Sequence, residues 1–187
     1  MQFADVQNLI QTRDVLLFRG RKWYAWLIRL RTLSVYSHVG IAYRLRLNSH
    51  HRLCIFEAVN GQGIRLHPMD HYLRECLAEG CTVDWYSLAE QAVDRERIAD
   101  YCFEQWARRY ASIWQFAWSW GLFLRRLRRW LGLNPDVGRE RFFCSELCDA
   151  AFRHAGYQHD ETDSPALTDP GTVARYTCLQ RKGTLIP

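Results

Sequence analysis

The sequence predicts an α+β fold in one domain, a small and mostly antiparallel sheet packed against helices. Five short runs, at 14–18, 35–43, 53–59, 63–67 and 82–86, are rich in β-branched or aromatic residues and are bounded by polar or glycine positions. Two other stretches, 95–109 and 144–155, repeat apolar residues at helical spacing. The chain of 187 residues is 48% hydrophobic and 14% aromatic, which is enough apolar material for one sizeable core and far from the composition of a disordered segment. No internal repeat or Gly/Ser-rich linker divides it, so residues 1–187 read as a single domain.

Taken in order, the first run, DVLLF, is continuous and apolar, as a buried strand is. In the second, VYSHVGIAY, period-2 alternation places Ser37, Val39, Ile41 and Tyr43 on one face and His38, Gly40 and Ala42 on the other. His38 therefore has little bulk beside it, and the bare Gly40 is expected to leave room for a helix terminus or a substrate. The stretch 44–52 reads as an irregular polar connection. In the third run, LCIFEAV, Glu57 is a carboxylate inside an apolar strand, a costly placement unless it has a partner. An antiparallel hairpin of runs two and three would set Glu57 beside His38.

After the fourth run, Pro68 starts a helix with Leu73, Cys76 and Leu77 in period. His67, His71, Cys76 and Cys81 also lie here, but neither pair has the tight spacing of a zinc knuckle, and an ordinary core helix is expected instead. In 95–109, Ile98, Tyr101, Cys102 and Gln105 fall at i, i+3, i+4 and i+7. The stretches 134–140 and 159–165 read as loops.

The segment RFFCSELC leads an apolar pair into Cys144 at the start of a helix whose apolar face holds Leu147, Ala150, Ala151 and Ala155, with Gly156 placed to end it. At a helix N-terminus, unpaired N–H groups and the positive end of the dipole favour a thiolate and offer donors to an oxyanion. Cys144 is thereby a candidate nucleophile, although a small buried thiol would occupy the same kind of position.

The formal charge of +5 is concentrated in two basic aromatic patches, 19–31 and 124–130. The stretch 112–134 sets Trp114, Phe116, Trp118, Trp120 and Phe123 ahead of Arg125, Arg126, Arg128 and Arg129. It reads either as a core helix with a solvated basic face or as an interfacial helix or lid inserted into the domain and facing an anionic membrane. Nucleic-acid binding is not expected, because no nucleic-acid motif accompanies the charge. No basic-then-apolar leader opens the chain and no apolar run reaches about 18 residues, so a cytoplasmic protein, peripheral to a membrane at most, is expected. Seven cysteines, an odd number mostly in apolar surroundings, read as reduced and buried thiols.

The ordered set DVLLFRG, YSHVGIAY, FEAVNGQGIRLHPM and RFFCSELC resembles the permuted branch of the NlpC-type papain-like superfamily, in particular its YiiX/YebB-like members, relatives of the lecithin retinol acyltransferase family. In that branch the histidine strand precedes the cysteine helix, as His38 precedes Cys144. The resemblance spans residues 14 to 170 and implies Cys144 as nucleophile, His38 as general base and Glu57 as the polar third member. His50 or His51 is an alternative third member, since a histidine fills that role in some relatives. Tyr36, Ser37 and Ser145, which lie within these motifs, and Tyr110, in a helix end within the same span, are candidate substrate contacts. The implied reaction is hydrolysis of a peptide or amide bond through an acyl-enzyme. Acyl transfer or ester hydrolysis on a lipid, and a non-catalytic binding module of the same fold, stay open. No metal or cofactor is expected.

Overall fold

The computed structural model describes residues 1–48, 50–89, 93–110, 141–158 and 168–186. The expected insertion at 112–134 and the loops at 134–140 and 159–165 lie outside these residues. Eight strands are formed by them: β1 (Val15–Arg19), β2 (His38–Leu47), β3 (His50–Val59), β4 (Gly63–Pro68), β5 (Thr82–Leu88), β6 (Arg109–Tyr110), β7 (Arg141–Phe142) and β8 (Leu179–Leu185). The helices are α1 (Phe3–Val6), α2 (Trp23–Thr32), α3 (Met69–Ala78), α4 (Arg95–Glu104), α5 (Cys144–His154) and α6 (Pro170–Val173).

Six strands make one sheet in the order β4-β3-β2-β1-β5-β8, antiparallel at every step, while β6 and β7 form a separate parallel pair. The mixed architecture of helices and antiparallel sheet is the one the sequence predicts. Strand alternation divides the core between two faces. On one, Val15, Leu17, Val39, Ile41 and Phe56 pack against Ile98 and Cys102 of α4 and Cys148, Ala151 and Phe152 of α5. On the other, Leu16, Phe18, Ala42, Ile55 and Val83 pack against Val6 of α1 and Met69 and Leu73 of α3. The alternation read from β2 holds, with Val39 and Ile41 on one face and Ala42 on the other.

Three sequence expectations need correction, and the basic patch at 19–31, for which no element was expected, is largely helix, α2. The connection at 44–52 is mostly strand, since Arg44, Leu45, Arg46 and Leu47 pair with Leu53, Arg52, His51 and His50. The ladder needs only backbone groups, so polar side chains do not end it, and Asn48 at φ 52° makes the tight turn. Helix α4 stops at Glu104, short of 109, because Ala107 takes φ 65° and the chain turns to bond β4: Ala107 N–H donates to Ile64 O at 3.1 Å and Ile64 N–H to Arg108 O at 2.9 Å. Finally, the space beside Gly40 is not open. A Cβ there would lie 2.5 Å from Ile55 Cδ1 and 3.1 Å from Phe56 O, so the missing side chain lets β3 approach closely.

Helix α5 runs as expected, with Gly156 at φ 91° just past its end. Leu147, Ala151 and Ala155 are buried, whereas Ala150 is only half-buried. All seven cysteines are free; five are buried, and Cys76 and Cys81 are half-buried. Among the described residues, no helix is long and apolar enough to cross a membrane.

Candidate active site

The site is assembled at one end of the central strands. β1 pairs with β2 so that Phe18 lies opposite His38, and the Phe18 ring sits 5.4 Å from the imidazole. On β3, Glu57 shares the face of Ile55, the same face as His38 and Ala42 on β2. His38 Nε2 and Glu57 Oε2 are 2.7 Å apart.

Glu57 is fully buried and collects more than His38. Arg65, its register partner on β4, donates to Oε1 through Nη2 at 2.8 Å and Nε at 3.1 Å, and His67 Nε2 lies 2.7 Å from the same oxygen. Burial alone pushes this carboxyl group up, but the bonds from His38 and His67 outweigh it and hold it well below the ordinary range. Glu57 is therefore an anion fixed by three basic side chains. Sequence reading found Glu57 and missed Arg65 and His67. The register of β3 and β4 is the signal that finds them, because residues 57 and 65 face each other once the turn at 60–62 is recognised.

His38 also interacts with Cys144, the first residue of α5. Burial lowers the imidazole's affinity for a proton. Charge and hydrogen bonding from Cys144 and Glu57 act the other way and prevail, raising the pKa to about 10. Burial pushes the Cys102 and Cys178 thiols up to about 12, Cys148 well above its ordinary value, and Cys54 upward as well. Cys76 differs from these four thiols. A hydrogen bond from Cys81 lowers it.

At the N-cap of α5 stands Phe143, whose side chain has no acceptor, while α4 and α6 are capped by the carboxylates of Asp94 and Asp169. The first-turn N–H groups of α5 thus face no capping carboxylate or hydroxyl from the N-cap residue. Glu146 instead reaches back to Phe143 N–H at 2.8 Å and fixes the entry into the helix.

Next to this cluster is a cavity of about 710 Å³ whose lining includes His38, Ser37, Arg65, Tyr72, Cys76 and Phe143. One wall is the inner side of α2, with Ala25, Leu27 and Ile28.

The candidate substrate contacts are placed as follows. The Tyr36 hydroxyl donates to Asp84 Oδ2 at 2.7 Å and meets the Tyr86 hydroxyl at 3.0 Å. Ser37 lines the cavity, and its Oγ accepts from Gly20 N–H at 2.9 Å and donates to Phe18 O at 3.2 Å. Ser145 donates to Thr168 O at 2.7 Å. Tyr110 lies in β6. His50 and His51 start β3 at the far end of the hairpin, paired with Leu47 and Arg46. At about 3.3 Å per residue along β2, they stand nearly 30 Å from His38, too far to orient it.

The ligand set considered for zinc is dispersed. His67 turns to Glu57, and His71 is an exposed partner of Glu75 at 3.5 Å. Among the described residues, no group of three or more His, Cys, Asp or Glu side chains is arranged to hold a metal ion.

Comparison with known proteins agrees with this architecture. No protein-family model matches the sequence, and no curated protein matches it significantly. Among solved structures, the chain is similar to the metalloprotein yiiX from Escherichia coli O157:H7, of the group designated DUF1105. The TM-score is 0.64 at 17% sequence identity, covering 95% of this chain and 98% of that one. The likeness to YiiX read from the ordered sequence motifs is thus borne out at the level of the fold.

Proposed function

We propose that the chain is a cysteine-dependent hydrolase of the permuted papain-like type that cleaves an amide or peptide bond through an acyl-enzyme. The observation that carries this reading is His38, whose Nε2 lies 2.7 Å from the buried Glu57 carboxylate and whose pKa is raised by charge and hydrogen bonding from Cys144 and Glu57.

In the proposed reaction the Cys144 thiolate attacks the substrate carbonyl carbon, forming a C–S bond as the carbonyl electron pair moves to oxygen. Backbone N–H groups in the first turn of α5 stabilise that oxyanion. The tetrahedral intermediate then collapses, the C–N bond breaks, and the imidazolium of His38 donates its proton to the departing amine. Water attacks the thioester next, losing a proton to His38, and the acid leaves as Cys144 is regenerated. Glu57 keeps the imidazole oriented and stabilises its protonated form. Arg65 and His67 hold Glu57 in turn.

An ester substrate with an acyl chain is a second reading, favoured by the cavity walled by Ala25, Leu27 and Ile28 beside His38. There the same steps break a C–O bond, or pass the acyl group to an acceptor other than water. YiiX is described as a metalloprotein, but in this chain both imidazoles nearest the site are turned into the Glu57 carboxylate, so the described residues do not fit a metal there and no step is routed through one.

The test is incubation of the full chain with peptide and lipid mixtures, followed by mass spectrometry of the intact protein and its peptides. An acyl adduct on Cys144 supports the reading, and the mass of the adduct names the substrate class. Turnover that survives Cys144→Ala contradicts it.

A further inference from the structure

We infer that the outer face of α2 docks on an anionic lipid bilayer. Trp23, Trp26, Leu30 and Leu33 fall at i, i+3, i+7 and i+10, so they form one stripe along the helix. All four point to solvent, at 71%, 57%, 57% and 91% exposure. The pattern is the reverse of a soluble surface helix, whose apolar stripe faces the core. Here the inward residues Ala25, Leu27 and Ile28 are apolar too, and they are accounted for by the cavity they line. Of the outer stripe, Trp23 also borders that cavity, whereas Trp26, Leu30 and Leu33 do not line it.

The helix end is a second and independent sign. Leu33 occupies the C-cap with φ 51°, a left-handed conformation that a leucine adopts only at a cost and that usually takes glycine or asparagine. A large apolar side chain is thus kept in a strained position where it touches mostly water. Val35, also exposed, extends the patch beyond the cap.

Charge decides the occupant. Between Asp14 and Glu57 the sequence contains no acidic residue, while Arg19, Arg21, Lys22, Arg29 and Arg31 fall in the same stretch of sequence as the stripe. Lys22 and Arg19 are paired with Glu79 and Asp84, yet the segment itself stays cationic. Tryptophans and leucines flanked by arginine and lysine, with no carboxylate among them, suit the boundary between anionic headgroups and acyl chains, where indole rings bury their body and keep their N–H wet. The docked helix would place the cavity behind it at the membrane surface. These residues are other than those of the stretch at 112–134, and the inference stands whether or not Cys144 is a nucleophile.

The test is sedimentation of the full chain with vesicles of phosphatidylcholine alone and of phosphatidylcholine mixed equally with phosphatidylglycerol, at low and high salt. The wild type is expected to sediment with the mixed vesicles, less so in high salt, and Trp26→Ser/Leu30→Ser/Leu33→Gly is expected to weaken that binding about tenfold or more. Leu33→Gly alone should weaken binding while leaving thermal stability equal or higher, since it relieves the left-handed leucine. Thiol labelling of Cys144 should be unchanged in both variants. Wild-type protein left in the supernatant, or a triple variant that sediments like the wild type, overturns the inference. So does a wild type that dimerises in a concentration-dependent way and a triple variant that stays monomeric, because the stripe then meets a second copy of the chain.

Discussion

His38 Nε2 lies 2.7 Å from Glu57 Oε2, and the carboxylate that receives it is fully buried. A buried anion is tolerated only when it is paired and hydrogen-bonded. Glu57 has His38, His67 and Arg65, and loss of its charge would leave basic groups facing an amide. Glu57→Gln is therefore expected to lower turnover by roughly 10- to 100-fold, the range in which supporting partners of a reactive group act. It should also move the alkaline limit of activity.

The sign of that movement follows from the shift. The folded pKa of His38 is raised to about 10, so the imidazolium persists through neutral pH and is lost as the pH rises through about 10. Removing the Glu57 charge removes one of the raising causes, and the alkaline limb should fall at lower pH in Glu57→Gln than in the wild type. In Cys144→Ala the other cause is gone, and an NMR titration of the His38 ring should show a lower pKa than in the wild type. His50→Ala and His51→Ala should change neither. An unshifted limb in Glu57→Gln together with a damaged His50→Ala would assign the orienting role to the hairpin tip.

Cys144→Ala and His38→Ala are each expected to lower kcat/KM by about 10³-fold or more, and their effects should not add. A nucleophile and a base acting as a unit lose most of their function with the first change. A double mutant far slower than either single mutant would contradict the pairing.

Asp84 has a structural role that bears on the site. It is buried and accepts from Tyr36, from Arg181 at 3.0 Å, and from Arg19 and Thr184, which ties β1, β5 and β8 together two residues from His38. Burial raises its pKa, but these bonds outweigh burial and lower it to about 2. The stabilisation is thus present above the ordinary aspartate value and is lost as pH falls toward about 2. Asp84→Asn should destabilise the fold by about 2–3 kcal/mol at neutral pH and less in acid. Urea unfolding at two pH values measures both.

Gly40→Ala is expected to cost about 1–3 kcal/mol, because the added methyl meets Ile55 Cδ1 and, behind it, the Phe56 carbonyl. Thermal unfolding measures this. An unchanged midpoint would mean that β3 shifts freely against β2.

Much of the fold and the central residues was legible in the sequence because both depend on local pattern. The alternation in VYSHVGIAY put His38 opposite Val39 and Ile41, and the apolar run around Glu57 marked a carboxylate that needed a partner. Helix α5 was legible because an apolar pair, a cysteine and a terminal glycine mark its ends. The missed parts depend on pairing between distant segments. Strand β8, LQRKGTL, has no strong apolar run and is a strand because β5 offers it an edge. His67 was weighed as a metal ligand from its neighbours along the chain, whereas the register of β3 and β4 turns it to Glu57. Helix α2 was hidden because its exposed side is as apolar as its buried side, so no helical contrast marks it.

Labelling of the full chain by an electrophilic thiol reagent at neutral pH, with the modified cysteine mapped by peptide mass spectrometry, tests the central claim most directly. Mapping is needed because Cys76 is half-buried and its pKa is lowered by a hydrogen bond from Cys81. Cys144 is predicted to react first, with the reaction slowed strongly in His38→Ala and more mildly in Glu57→Gln. Equal labelling of Cys144 in the wild type and in His38→Ala, or a wild-type Cys144 as inert as Cys102 and Cys148, would contradict a thiolate activated by His38.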